Sequence, residues 1–247
     1  IALQLLGYID RGSFGGSKTG RFWTLDPIDG TKGFLRGEQF AVCLALIVDG
    51  VVRVGVMGCP NLPVNAAEPN GPRGCIFAAV SGQGAFQRSV EEADTAETRI
   101  HVTGVTSTSE ANFCESVEAG HSNHDHSAII AGKLGITKEP VRMDSQCKYA
   151  SIARGDASIY LRLPTIKGYE EKIWVRLFLC AKSVLTDLRK DHASGALIVA
   201  EAGGRVSDVN GKELDFTQGR TLKANSGVIG TNGPIHDKVV ETVVSVL

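Results

Sequence analysis

Residues 23–34 read WTLDPIDGTKGF, from Trp23 to Phe34, and no other stretch of the chain packs as much chemistry into as few positions. Asp26 and Asp29 are carboxylates three residues apart around Pro27. Proline fixes its own φ and restricts the residue before it, so the segment reads as a rigid corner. Such a corner aims both side chains at one cation, and carboxylate oxygens are what Mg²⁺ prefers. The Ile28 carbonyl lies between them as a third oxygen. Gly30 and Thr31 then open a helix whose free N–H groups suit a phosphate. The plain alternative is a surface turn, and for an isolated D-x-x-D-G-T it carries equal weight.

Around this motif the chain is built for burial. Of its 247 residues 43% are hydrophobic and 21% charged, enough apolar material for a sizeable core and against disorder. A net charge of −1 excludes binders of nucleic acid or membrane surfaces that rely on a bulk positive field. No apolar run reaches the roughly 18 residues of a membrane span. The six cysteines, at 43, 59, 75, 114, 147 and 180, show no CxxC and no zinc spacing. Five sit in apolar or strand-like runs, which predicts buried reduced thiols and an intracellular, reducing compartment, cytoplasmic or organellar. The chain starts at Ile1, with an apolar run and no basic signal-peptide flank, and reads as a fragment that begins near the end of a helix.

Two apolar runs flank Asp49-Gly50, the strongest short hairpin signal there is. A strand is predicted over 75–80, and the polar, acidic stretch 87–98 reads as a solvated loop. Beyond a boundary near 99–107, strands and helices alternate. Strands are expected at 112–117, 141–143, 157–163, 206–209 and 227–230. Helices are expected at 125–134, 146–153, 193–202 and 234–247, the third stopped by Gly203-Gly204. The pattern predicts layered α and β elements in two domains, 1–103 with an antiparallel sheet and 104–247 of mixed α/β type.

WTLDPIDGTKGF resembles the metal-binding signature of the inositol monophosphatase superfamily, the lithium-sensitive phosphatases that also include fructose-1,6-bisphosphatase. The resemblance implies an αβαβα sandwich, incomplete at the N-terminus. It also implies that Asp26, Ile28 (through its carbonyl) and Asp29 hold Mg²⁺, with Asp26 and Thr31 in the catalytic step and Thr31 orienting or deprotonating the attacking water. A second element of the superfamily, W-D-x-A-[AGS]-G, is matched by Asp191-His192-Ala193-Ser194-Gly195. There Asp191 would complete the metal site; on the residues alone it sits where a helix N-cap belongs.

The segments SVEAGHS (116–122), MDSQCKYA (143–150), YLRLP (160–164) and GYEEKIW (168–174) resemble the 3′(2′),5′-bisphosphate nucleotidases of plants and fungi. By that resemblance Gly30, Thr31, His121, Ser145, Lys148 and Arg162 contact the nucleotide and its phosphates. Arg, Lys, a hydroxyl and an imidazole suit a clamp on a non-reacting phosphate by charge-assisted bonds. Each also has a bland reading: His121 with His124 and His126 as a polar loop or a transition-metal site, Lys148 as a solvated helix residue, Arg162 as a strand-edge charge.

Two departures from the family stand out. The family places a metal-bridging Glu and a water-activating Asp upstream of the signature, and before Asp26 this chain has only Asp10. Residues 175–190, VRLFLCAKSVLTDLRK, also separate Trp174 from Asp191, which the family keeps adjacent. Deleting them restores EEKIWDHASG. Valine codons begin GT and lysine can be AAG, the borders of a retained intron. A genuine helical insertion with Leu177, Leu179, Val184, Leu185 and Leu188 as its apolar stripe is the alternative.

The resulting expectation is a Mg²⁺-dependent phosphomonoesterase acting on a small molecule, adenosine 3′,5′-bisphosphate, as a monomer with no nucleic-acid or membrane partner. It would yield AMP and phosphate, with the 5′-phosphosulfate analogue as a second substrate. An inositol polyphosphate 1-phosphatase and a catalytically inactive family member are the competing readings.

Overall fold

The computed structural model describes residues 17–91, 97–117, 124–164, 192–219 and 221–247. The first sheet is a six-stranded antiparallel meander in sequence order: β1 (Arg21–Asp29), β2 (Ala41–Val48), β3 (Val51–Pro63), β4 (Arg73–Val80), β5 (Gly84–Ser89) and β6 (Thr98–Ile100). The predicted hairpin is there. Asp49 and Gly50 both take positive φ, 51° and 77°, the backbone a two-residue loop needs to follow the strand twist. The stretch 87–98 is corrected. β5 continues through Ser89, because Gln87 pairs with Phe77 and its Nε2 donates to the Val64 carbonyl at 2.9 Å, and β6 opens at Thr98. Paired backbone outweighs polar composition there.

The second sheet is mixed, in the order β10 (Arg205–Ser207), β11 (Val228–Thr231), β9 (Ile159–Arg162), β7 (Phe113–Glu115) and β8 (Val141–Arg142). Its central β9 runs parallel to β7 and antiparallel to β11. Helices α3 (Cys147–Arg154) and α4 (Ala193–Glu201) lie between the two sheets. One core holds Cys43, Met57 and Phe77 of the first sheet together with Tyr149, Ile152, Ile198 and Val199 of the helices and Tyr160 and Val228 of the second. Helices α2 (His124–Leu134) and α5 (His236–Val244) cover the far side, where Ile130, Leu134, Val239 and Val243 meet Ile159, Leu161 and Ile229. The order sheet, helices, sheet, helices is a layered α/β sandwich.

α4 stops as expected: Gly203 takes φ +93° and its amide, with that of Gly204, bonds back to Ala200 and Val199. Arg154, at the end of α3, is bound to the Asp156 carboxylate at 2.6 Å and donates to the Pro63 carbonyl at 2.8 Å, fastening the helix layer to β3. The first sheet's other face is apolar and open. Trp23 is 57% exposed, and Leu25, Val42 and Val80 are exposed beside it. Their cross-strand partners are Leu46, Leu44, Gly58 and Val54.

Candidate functional site

The motif that read as a corner is the end of a strand. β1 runs through Asp29, and its register against β2 slips between Asp26, opposite Cys43, and Asp29, opposite Ala41. Three steps on β1 face two on β2, so one extra residue is accommodated. In a regular strand side chains three apart face opposite ways; the bulge turns both carboxylates to the buried side. Asp26 is 6% exposed and Asp29 is 3% exposed. The Ile28 amide donates to Oδ1 of Asp26 at 3.1 Å, and the Thr31 hydroxyl donates to the Ile28 carbonyl at 3.4 Å. Proline still matters, since it has no N–H to lose where the ladder breaks.

Gly30 follows with φ +84° and starts the short helix α1 (Thr31–Arg36). Glycine is required twice over. Its left-handed backbone disfavours a side chain, and an added Cβ would lie 2.6 Å from the Ser145 Cβ. The signature therefore presses on the segment 143–148, more than a hundred residues away. Oδ2 of Asp29 accepts the Gln146 main-chain amide. At the other end of α1, Arg36 is ion-paired with Asp144 at 2.5 Å and with Glu38 at 2.6 Å.

Between those anchors Ser145 is held at φ +64°, a strained backbone for a non-glycine residue. Its Oγ accepts the Cys147 amide at 3.1 Å. Lys148 is not a solvated helix residue. It is 0% exposed, and its ammonium donates to the carbonyls of Met143 at 3.0 Å and Ser145 at 2.8 Å, with the Tyr160 ring 5.6 Å away. A buried ammonium needs such acceptors, and here it braces the loop that carries Ser145. Arg162 is buried on β9, two residues from Tyr160 and so on the same strand face.

α4 opens beside this loop, but its N-cap is His192, which makes no side-chain cap bond. The imidazole does other work: Nδ1 of His192 is 2.8 Å from the Tyr149 hydroxyl. Gly195 lies so close that a Cβ would meet the Tyr149 ring at 2.4 Å. α3 and α4 thus touch through a buried tyrosine that also stacks edge-on against Tyr160, centroids 5.1 Å apart.

The structure therefore brings Asp29, Gly30 and Ser145 together, sets Thr31 beside Ile28, and puts Lys148 under Ser145. His121, Asp191 and the stretch 175–190 lie outside the described residues. Among the described residues no three His, Cys, Asp or Glu side chains group to hold an ion by themselves. Two inward carboxylates and a carbonyl still form an all-oxygen donor set, which fits a hard divalent cation better than a thiophilic one. Arg36, Asp144, Gln146 and Tyr149 were missed in the sequence; only the adjacency of Asp144 and Gln146 to Ser145 hinted at them.

A model of the inositol monophosphatase family matches residues 7–247. The chain belongs to the inositol monophosphatase family. Members of this family are metal-dependent phosphatases. The chain is 50% identical over 246 residues to a 3′(2′),5′-bisphosphate nucleotidase of Schizosaccharomyces pombe, covering 99% of this chain and 65% of that protein. It is 48% identical over 255 residues to one of Emericella nidulans, covering 98% and 68%, and 43% identical over 245 residues to one of Oryza sativa, covering 97% and 63%. It thus spans about two thirds of the length of these curated relatives. Among solved structures, a Thermotoga maritima inositol monophosphatase superposes with a TM-score of 0.61 at 26% identity, over 92% of this chain and 69% of that one. An inositol monophosphatase from Anabaena gives 0.63 at 20% identity, over 94% and 75%, which speaks to the fold alone. These likenesses identify the layered sandwich as the inositol monophosphatase fold.

Proposed function

We propose that this chain carries the site of a Mg²⁺-dependent phosphatase that removes the 3′-phosphate of adenosine 3′,5′-bisphosphate, giving AMP and phosphate. One observation carries the reading: the bulge in β1 turns Asp26 and Asp29 inward while Asp29 bonds the amide of Gln146, next to Ser145. Cation-holding and phosphate-holding groups are thereby neighbours, as a phosphomonoesterase requires. The relatives named above support the nucleotide as substrate.

In this reading Asp26, Asp29 and the Ile28 carbonyl hold Mg²⁺, and Asp191 adds a further carboxylate. When bound, the ion polarises the phosphate and makes water a competent nucleophile near neutral pH. Thr31, fixed by its bond to the Ile28 carbonyl, orients that water. Water oxygen attacks phosphorus, the bond to the ribose 3′ oxygen breaks, and a proton ends on the 3′ hydroxyl. Ser145 and Arg162, with His121, grip the non-reacting 5′-phosphate, and Lys148 holds the Ser145 loop in shape. That second grip orients the reacting phosphate.

Phosphate release from adenosine 3′,5′-bisphosphate with Mg²⁺, measured on this chain and on one extended upstream to the relatives' length, tests the proposal. Release that disappears on chelation is expected from the extended chain. No release from either chain defeats it.

A further inference from the structure

Three consecutive residues, Asp144, Ser145 and Gln146, are each held by a different residue of the signature. The Gln146 amide donates to Oδ2 of Asp29, the Ser145 Cβ is packed against Gly30, and Oδ2 of Asp144 accepts from the Arg36 guanidinium at 2.5 Å. Gly33 of α1 lies so close that an added Cβ would stand 2.9 Å from the Asp144 Cβ. Of the three ties, the one from Arg36 is the only ion pair, and it lies farthest from the inward carboxylates.

That tie carries charge where water is scarce. Asp144 is 5% exposed, and attraction to a buried charge is screened far less than attraction between surface charges. Nε of Arg36 also holds Glu38 at 2.6 Å, so two carboxylates fix the plane of one guanidinium. Next to Asp144, Ser145 sits at φ +64°, a backbone that persists only where its surroundings over-determine it. The Met143 amide, bonded to the Glu115 carbonyl at 3.0 Å, fixes where this turn begins, and the Gln146 amide fixes where it ends. The ion pair fixes the residue between that start and Ser145. Without Arg36, a buried carboxylate loses its cation and is drawn toward water, and Ser145 relaxes with it.

We infer that Arg36 is a positioning residue for the grip on the nucleotide's 5′-phosphate, acting through its ion pair with Asp144 to hold the Ser145 turn in its left-handed shape. The inference rests on the reading of Ser145 as part of that grip. Arg36 thereby favours nucleotides that carry a 5′-phosphate over those that lack one, without touching either.

The test needs no turnover. AMP, which carries the 5′-phosphate, and adenosine, which lacks it, are titrated into the full chain by calorimetry. A chelator is present so that no cation takes the phosphate, and thermal unfolding is followed alongside. The parent is expected to prefer AMP. Arg36→Met is expected to bind AMP about 10-fold more weakly and adenosine as the parent does. Asp144→Asn should show the same loss, and the double variant no more than either single one, since both changes cut one tie. An unchanged AMP preference in Arg36→Met overturns the inference. Additive losses overturn it too, because Arg36 would then meet the nucleotide directly. Should Arg36→Met not fold, with its buried carboxylate unmatched, the neutral double variant Arg36→Met/Asp144→Asn takes its place, and an undiminished AMP preference there overturns the inference. A parent that does not prefer AMP removes the Ser145 reading and this one together. A parent preference that survives loss of Arg36 removes only this one.

Discussion

Oδ2 of Asp29 accepts the main-chain amide of Gln146, a bond between residues 117 positions apart that joins the strand carrying the acidic signature to the helix behind Ser145. The acidic motif and the loop that carries Ser145 thus share a wall. Whatever moves one displaces the other.

Gly30→Ala should show this most directly. The new methyl would sit in a left-handed backbone and against the Ser145 Cβ, so a loss of about 2–4 kcal/mol is expected in urea unfolding. Combining it with Ser145→Gly removes the atom it meets and should recover part of the loss, a coupling that a double-mutant cycle reads out. Full additivity would contradict the contact.

The α3–α4 contact makes a ranked prediction. Tyr149→Phe removes the hydroxyl that meets Nδ1 of His192 and should cost about 1–2 kcal/mol. Gly195→Ala drives a methyl into the Tyr149 ring, and overpacking of this kind should cost about 3 kcal/mol. Chemical denaturation of both variants checks the order, and a neutral Gly195→Ala would show that the helices can separate freely.

His236 supplies a pH dependence. It is buried, with Nε2 2.9 Å from the Ser207 hydroxyl and Nδ1 2.9 Å from the Thr231 hydroxyl. Ser207 donates its proton to the Asp208 carbonyl, so Nε2 carries the hydrogen and Nδ1 accepts from Thr231. Burial, then the nearby Arg205 charge, lowers its pKa to about 4, while Asp237 opposes. An unfolded histidine titrates near 6.5, so the unfolded chain takes up the proton first. This contribution is complete above about pH 6.5 and fades as pH falls toward 4. Melting temperatures across that range should fall less steeply in His236→Gln than in the parent.

Cys59 and Cys114 should be silent in the folded chain. Burial raises Cys114 to about 12, with the Lys148 charge only partly offsetting it, and burial likewise pushes Cys59 up. Since the thiolate is the nucleophile, iodoacetamide at pH 8 should leave both unmodified in native protein and alkylate them in urea, as peptide mass spectrometry would show. Rapid native labelling of Cys114 would mean that its core opens.

Much of the scaffold was legible from local pattern. Asp49-Gly50 announced its hairpin, and the helices over 124–134, 147–154 and 193–201 fell within a residue or two of expectation. The strand that carries the signature was not, because Pro27 speaks against a regular ladder and the bulge that accommodates it depends on β2. Asp26, Ile28 and Asp29 could be named from spacing, but not which way they face. Lys148 could be named, but not its burial, because its acceptors are carbonyls that only the folded loop presents. Gln146 was invisible, because its main-chain bond to Asp29 spans 117 positions of the chain.

The open apolar face of the first sheet has a practical consequence. Trp23, Leu25, Val42 and Val80 present a greasy plane that rewards contact with any similar plane, including another copy. For the isolated chain, crowding rather than heat would then be the first enemy. Its shelf life in solution should shorten with every doubling of protein in the tube.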